Sequence, residues 1–202
     1  MKTCKQMVTE FHLLNGSVID ANNPGPEVAV VRTRLMLEEF SETYIALHQN
    51  DVVEVADGLA DFLYVIYGTA VAYGVTCPDA FRRLTSPPAE MFASVDTLRF
   101  VNRILPRLTR ACDMTIGPSL DLSAALTDLA DETCRLGATL WGTPLRDLFE
   151  EVHRSNMTKT FSLTTNTAGG KYGSGVNPKG PGYSPPDIAG VLNYAREAFL
   201  KA

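Results

Sequence analysis

The stretch Arg34-Leu35-Met36-Leu37-Glu38-Glu39-Phe40-Ser41-Glu42, followed by Glu54-Val55-Ala56-Asp57-Gly58-Leu59-Ala60-Asp61-Phe62-Leu63-Tyr64-Val65, decides how the chain reads. Around its first half, Val30, Val31, Leu35, Leu37, Phe40, Tyr44 and Leu47 recur at helical spacing, so a helix is expected from Glu27 to His48. Pro24-Gly25-Pro26 bars an earlier start. Asn50-Asp51 supplies a break and a cap, and a second helix follows from about Val52 to Tyr73. A connection this short makes the two helices antiparallel neighbours.

At about 100° per residue, Glu38, Glu39 and Glu42 lie within one 100° sector of the first helix. Glu54, Asp57 and Asp61 fall within about 60° on the second. Two acidic stripes can therefore face each other. Carboxylates at such close quarters repel, and oxygen-liganded divalent cations resolve the conflict, Mg²⁺ best and Mn²⁺ as a substitute. A solvated acidic face is the plain alternative. Against it, no Lys or Arg lies between Glu38 and Asp61 to supply ion pairs at i,i+4, and Asp57 and Asp61 sit in an otherwise apolar helix. A di-iron centre wants Glu-x-x-His on two helices, and Glu150-Glu151-Val152-His153 offers it once.

Outward from this hairpin the pattern stays helical. The opening residues 1–26 mix Phe11, Leu13 and Leu14 with loop signals and carry no assigned helix. A short helix is expected at Cys77-Pro78-Asp79, ending at Ser86-Pro87-Pro88. Longer ones cover Ala89 to Asp113, with Pro106 as a kink, Leu122 to Trp141, and Pro144 to Met157. Residues 158–187 hold six Gly and four Pro without a period and read as a functional loop before a closing helix, Ile188 to Leu200. The class is all-α, a four- to five-helix bundle forming a single domain over 1–202. Leu59-Ala60-Asp61 recurs as Leu129-Ala130-Asp131, and Thr69 as Thr139, 70 positions later. Residues 27–84 would then be one helical hairpin and 89–157 a degenerate second half, a pseudo-dimer within one chain, with 158–202 as tail and closing helix.

With 202 residues, 45% hydrophobic and 20% charged, the composition is that of a globular protein. A net charge of −5 argues against a general nucleic-acid binder. The apolar run Phe62 to Val75 is too short to span a bilayer, and residues 1–30 lack a signal-peptide pattern, so a cytoplasmic location is expected. Cys4, Cys77, Cys112 and Cys134 show no metal spacing and read as reduced thiols, three of them buried on helices. His12 and His48 read as structural or exposed.

The quoted hairpin resembles the MazG-like all-α nucleoside triphosphate pyrophosphohydrolases, in the flavour of their phage and dUTPase-like branch. Two further elements share the resemblance: His153-Arg154-Ser155-Asn156-Met157-Thr158-Lys159 and Lys179-Gly180-Pro181-Gly182-Tyr183-Ser184-Pro185-Pro186. It covers residues 27–84 and 144–188. The resemblance implies Mg²⁺-dependent hydrolysis of a nucleoside or deoxynucleoside triphosphate to monophosphate and pyrophosphate, in the host cytoplasm if phage-encoded. Glu38, Glu39, Glu42, Asp57 and Asp61 would hold metal, Glu38 or Glu39 would activate water, and Asn156, Lys159, Lys179 and Tyr183 would meet substrate. Lys171 and Trp141 are further candidates for phosphate and base.

Two departures stand out. The family pattern Glu-x-x-Asp, ending at Asp61, meets Gly58 where an acid is usual, which leaves Glu54 and Asp57 as alternatives. Residues 85–143 are inserted, and in that half Asp131 alone keeps its acid, so it reads as catalytically silent. The tail is expected to be a mobile lid with Lys179 on phosphate and Tyr183 over the nucleoside. No nucleic-acid or membrane partner is implied; a homo-oligomer or a monomeric pseudo-dimer is. Two rivals remain: a non-catalytic nucleotide sensor, disfavoured by the intact Glu38-Glu39-Glu42 set, and phosphoribosyl-ATP pyrophosphohydrolase.

Overall fold

A computed structural model describes residues 1–21, 24–83, 97–116, 119–139, 144–159 and 180–201. The described residues form seven α-helices, and no strand is found among them. Helix α1 (Cys4–Asn15) was not expected, yet its start is written in a capping box: the Thr3 hydroxyl accepts from the Gln6 amide and the Gln6 side chain accepts from the Thr3 amide. Gly16, at φ 70°, ends it in the left-handed conformation that glycine adopts without strain.

Helix α2 (Pro26–Gln49) starts with Pro at a tolerated first position, and α3 (Val52–Ala72) starts at Asp51, whose carboxylate accepts from the amides of Val53 and Glu54. The two-residue turn between them closes with Asn50 in the left-handed region. Where the spacing predicts a short third helix, the described residues, which stop at 83, form a 3₁₀ turn, Ala80–Arg83. Then come α4 (Thr97–Met114), which continues through Pro106, α5 (Ser119–Thr139), α6 (Leu145–Met157) and α7 (Ile188–Lys201). Trp141 lies outside the described residues.

Helix α3 is the axis of the bundle and packs against α1, α2, α5, α6 and α7. It is also the one helix among the described residues long and apolar enough to cross a membrane, a test the sequence run alone did not meet, but 83% of its apolar window is buried within the protein. Phe62, Leu59, Leu63, Ile66 and Tyr67 fill the centre beside Met36, Phe100 and Phe149. Burying a side chain of this kind contributes roughly 1.5–3 kcal/mol.

Two close approaches fix α2 against α3. A Cβ on Gly58 would stand 2.6 Å from Thr43 Oγ1 and 3.2 Å from the Thr43 Cα, so the helices touch through glycine. One helical stretch away, the buried Arg32 reaches past Gly68, its Nε donating to Thr69 Oγ1 at 3.1 Å and its Nη2 to the Val65 carbonyl at 2.6 Å. Helices α4 and α5 make a second hairpin, with α4 on α2 and α5 on α3. Phe40 stacks on Phe100 with ring centroids 5.2 Å apart across the α2/α4 seam. All four cysteines are free, Cys4, Cys77 and Cys134 being buried and Cys112 half-buried. His12 is buried, with Nδ1 2.9 Å from the Val18 carbonyl oxygen, and burial lowers its pKa to about 4.

Candidate active site

The acidic stripes meet at Glu39. Its carboxyl is pushed up to about 9, first by burial and then by the charges of Asp61, Glu42, Asp57 and Glu38. Its Oε2 is buried and makes no hydrogen bond. Five of the carboxylates named from sequence thus share one electrostatic neighbourhood. Glu39, Asp57 and Asp61 are half-buried between the helices, while Glu38 and Glu42 are exposed at the edge.

Gly58 explains the departure from the family pattern. A side chain there would crowd Thr43, which favours glycine over a carboxylate at that position. Asp57, one residue back, takes the field at Glu39, whereas Glu54 is exposed in the first turn of α3. One sequence inference needs correction. Arg34, the first residue of the stretch, pairs with Glu38 at 3.4 Å across i,i+4, so the cluster has a cation at its rim.

Oxygen donors of this kind suit a hard divalent cation, and the bare buried Glu39 Oε2 is the atom such an ion would satisfy. As the side chains stand, no three His, Cys, Asp or Glu groups among the described residues are gathered tightly enough to hold one ion. The carboxylates ring Glu39 without converging on a single point.

The second motif block docks one turn along α3. Tyr64, three residues past Asp61, has its hydroxyl 3.0 Å from His153 Nδ1, with the Asn156 side chain beside it. Asn156 is buried, and the Tyr64 hydroxyl is held in its neutral form mainly by burial. His153 Nε2 lies 3.6 Å from Glu10 of α1, and burial pulls the His153 pKa down. The di-iron alternative fails here: His153 faces Tyr64 and Glu10, Glu150 is paired with Arg146, and Glu151 with Arg154. Tyr64 and Glu10 were given no role from sequence. The Thr3-x-x-Gln6 pattern could have revealed α1 and with it Glu10.

Lys159 stands just past α6 and is half-buried. The described end of the tail is fastened rather than loose. Ser184 N donates to Thr158 Oγ1 at 2.9 Å, Arg154 donates to Ser184 Oγ at 3.0 Å and to the Pro185 carbonyl at 2.8 Å, and Asp187 N donates to Glu151 Oε1 at 2.8 Å. Ser155 Oγ lies 3.5 Å from Tyr183 Oη. Over 180–187 these contacts hold the tail, Tyr183 included, against α6. Lys171 and Lys179 lie outside the described residues.

Residues 12–87 match a family model described as phosphoribosyl-ATP pyrophosphohydrolase, a description within the MazG-like nucleotide pyrophosphohydrolase superfamily. The match takes in the end of α1 and all of α2 and α3. The chain is also similar to an uncharacterized protein of Acanthamoeba polyphaga mimivirus, 26% identical over 156 residues, covering 66% of this chain. It spans 59% of that protein's length. No solved structure matches.

Proposed function

We propose that the chain is a Mg²⁺-dependent pyrophosphohydrolase that converts a nucleoside or deoxynucleoside triphosphate to its monophosphate and pyrophosphate, in the manner of the phage and dUTPase-like branch. One observation carries the reading: the half-buried Glu39, whose buried Oε2 is bare and which four other carboxylates crowd. Such crowding is costly to the fold without a cation and useful with one. Glu39, Glu42, Asp57 and Asp61 would hold the metal, with Glu38 beside them. Bound Mg²⁺ would neutralise charge on the phosphate oxygens.

Glu38 is exposed at the rim and suits the task of orienting and deprotonating the attacking water. Arg34, paired to Glu38, holds that carboxylate in place. Tyr64, Asn156 and His153 brace α6 against α3 beside Asp61, which keeps Asn156 and Lys159 at the same end of the cluster. Lys179 and Tyr183 would complete the substrate contacts from the tail.

Phosphoribosyl-ATP itself is the second reading, favoured by the description of the matching family model. Both substrates present a phosphoanhydride to the same carboxylates. The reduced cysteines fit a cytoplasmic setting, that of the host if the chain is virus-encoded. In this reading the α4/α5 hairpin takes the place that a partner protomer would occupy against α2 and α3.

The test is pyrophosphate release from a panel of ribo- and deoxynucleoside triphosphates and phosphoribosyl-ATP, with Mg²⁺, Mn²⁺ or chelator. Turnover that requires the divalent ion and disappears in Glu39→Gln supports the proposal. Divalent-independent turnover, or none with any substrate, defeats it.

A further inference from the structure

A groove of about 760 Å³ runs along the outer side of α2, and its far wall is the C-terminal end of α4. Its walls are apolar: Val30 and Leu37 on α2 and Ile116 just past α4 are 67%, 43% and 79% exposed. Thr33 on α2 and Cys112 on α4 line the two sides. The α4 end is itself anchored, since Tyr73 Oη donates to the Thr115 carbonyl at 3.0 Å. At one end the groove is lined by Glu38 and Glu42, two of the carboxylates clustered on Glu39.

We infer that this groove is the nucleoside subsite, taking the base and sugar of a nucleotide whose phosphates lie on the carboxylate cluster; the inference rests on the hydrolase reading above. The volume falls in the range of small-molecule sites, about 300–1,000 Å³. From Glu38 back to Val30 is about 12 Å along α2 at 1.5 Å per residue, which leaves room for a sugar and a planar ring beyond the phosphates. Apolar walls with hydroxyls at Thr33 and Ser41 suit such a ring better than they suit more phosphate. The wall from α4 lies outside residues 12–87, the part matched by the family model, so this surface gives the chain a nucleoside contact that the match does not supply. Arg34, paired to Glu38, marks the border between the apolar and the acidic ends.

Cys112 is a built-in probe, because it lines the groove and is half-buried while the other three thiols are buried. The experiment measures modification of Cys112 in the full chain by a small thiol reagent, with Mg²⁺ and each of AMP, GMP, CMP, UMP and dUMP, and with Mg²⁺ and pyrophosphate alone. At least one nucleotide is expected to slow modification, and pyrophosphate is not. Val30→Glu and Ile116→Glu, both at exposed positions, should raise the nucleotide concentration for half-protection and the substrate KM by roughly tenfold or more, with Mn²⁺ binding unchanged. Turnover by the wild-type chain with Cys112 modified equally fast, and KM unmoved by both substitutions, overturns the inference and leaves the hydrolase reading standing. Protection by a nucleotide without divalent-dependent turnover sinks the hydrolase reading and keeps the groove as a nucleoside site. A Cys112 shielded in the free protein, with Val30→Glu converting a dimer to a monomer and no change in nucleotide binding, assigns the groove to a second copy of the chain and overturns the inference.

Discussion

The two hairpins of the bundle bury carboxylates in opposite ways. Between α2 and α3, Glu39 is surrounded by other acids, and the pairing cation Arg34 sits at the rim on Glu38. Between α4 and α5, Glu132 is 1% exposed, yet Arg103 reaches its Oε1 at 2.9 Å, Arg135 binds its Oε2, and Arg107 stands 3.9 Å away while also pairing with Asp128. At the 70-residue offset of the repeat, Glu132 takes the position of the buried Phe62, and Asp128 that of Gly58. A buried carboxylate needs compensation. The second hairpin supplies it internally with guanidinium groups, whereas in the first the Glu39 carboxyl is pushed towards its protonated form.

The largest expected effect is on turnover. Glu39→Gln, Asp57→Asn and Asp61→Asn should each lower divalent-dependent pyrophosphate release by roughly a hundredfold or more while circular dichroism stays helical. Normal rates in these variants would erase the distinction between the hairpins.

Stability should move in opposite directions. Without metal, Glu39→Gln is expected to stabilise the fold by on the order of 1–3 kcal/mol at neutral pH, because it removes a carboxyl held far above its ordinary value. Glu132→Gln should destabilise by about 1–3 kcal/mol, as three arginines that are partly solvated lose their common partner. Urea denaturation of both proteins checks the pair of signs. The pH dependence follows from the same shift. The folded pKa of Glu39, about 9, lies above its ordinary 4.5, so the folded state binds the extra proton. Its contribution is fully present below 4.5 and is lost as pH rises through 9; Mg²⁺ should flatten that decline, and Glu39→Gln should remove it.

A smaller effect tests the helix contact. Gly58→Ala places a methyl against the Thr43 backbone and should cost about 1–3 kcal/mol in thermal or urea unfolding. Asp128→Ala, at the corresponding place in the other hairpin, should cost less than 1 kcal/mol, because its ion pair with Arg107 is partly exposed. The smallest changes are expected from Asp131→Asn and Glu54→Gln, which should leave turnover near wild type. A loss with Asp131→Asn comparable to that of Asp61→Asn would make the second hairpin a contributor to the site.

The sequence by itself determined the helical class, the bounds of α2 and α3 to within a residue or two, and the facing of two acidic stripes. Those depend on local periodicity, on a two-residue connection and on caps such as Asp51, all of which are written in neighbouring residues. Only the tertiary structure put Asp57 rather than Glu54 within the field of Glu39, and showed that Gly58 faces Thr43, fifteen positions away on another helix. It also brought His153 and Asn156 onto Tyr64, fastened the end of the tail to α6, and opened a groove between α2 and the end of α4. These are contacts between segments far apart in the chain, and no local pattern encodes which of two acidic helix faces a third helix will leave exposed.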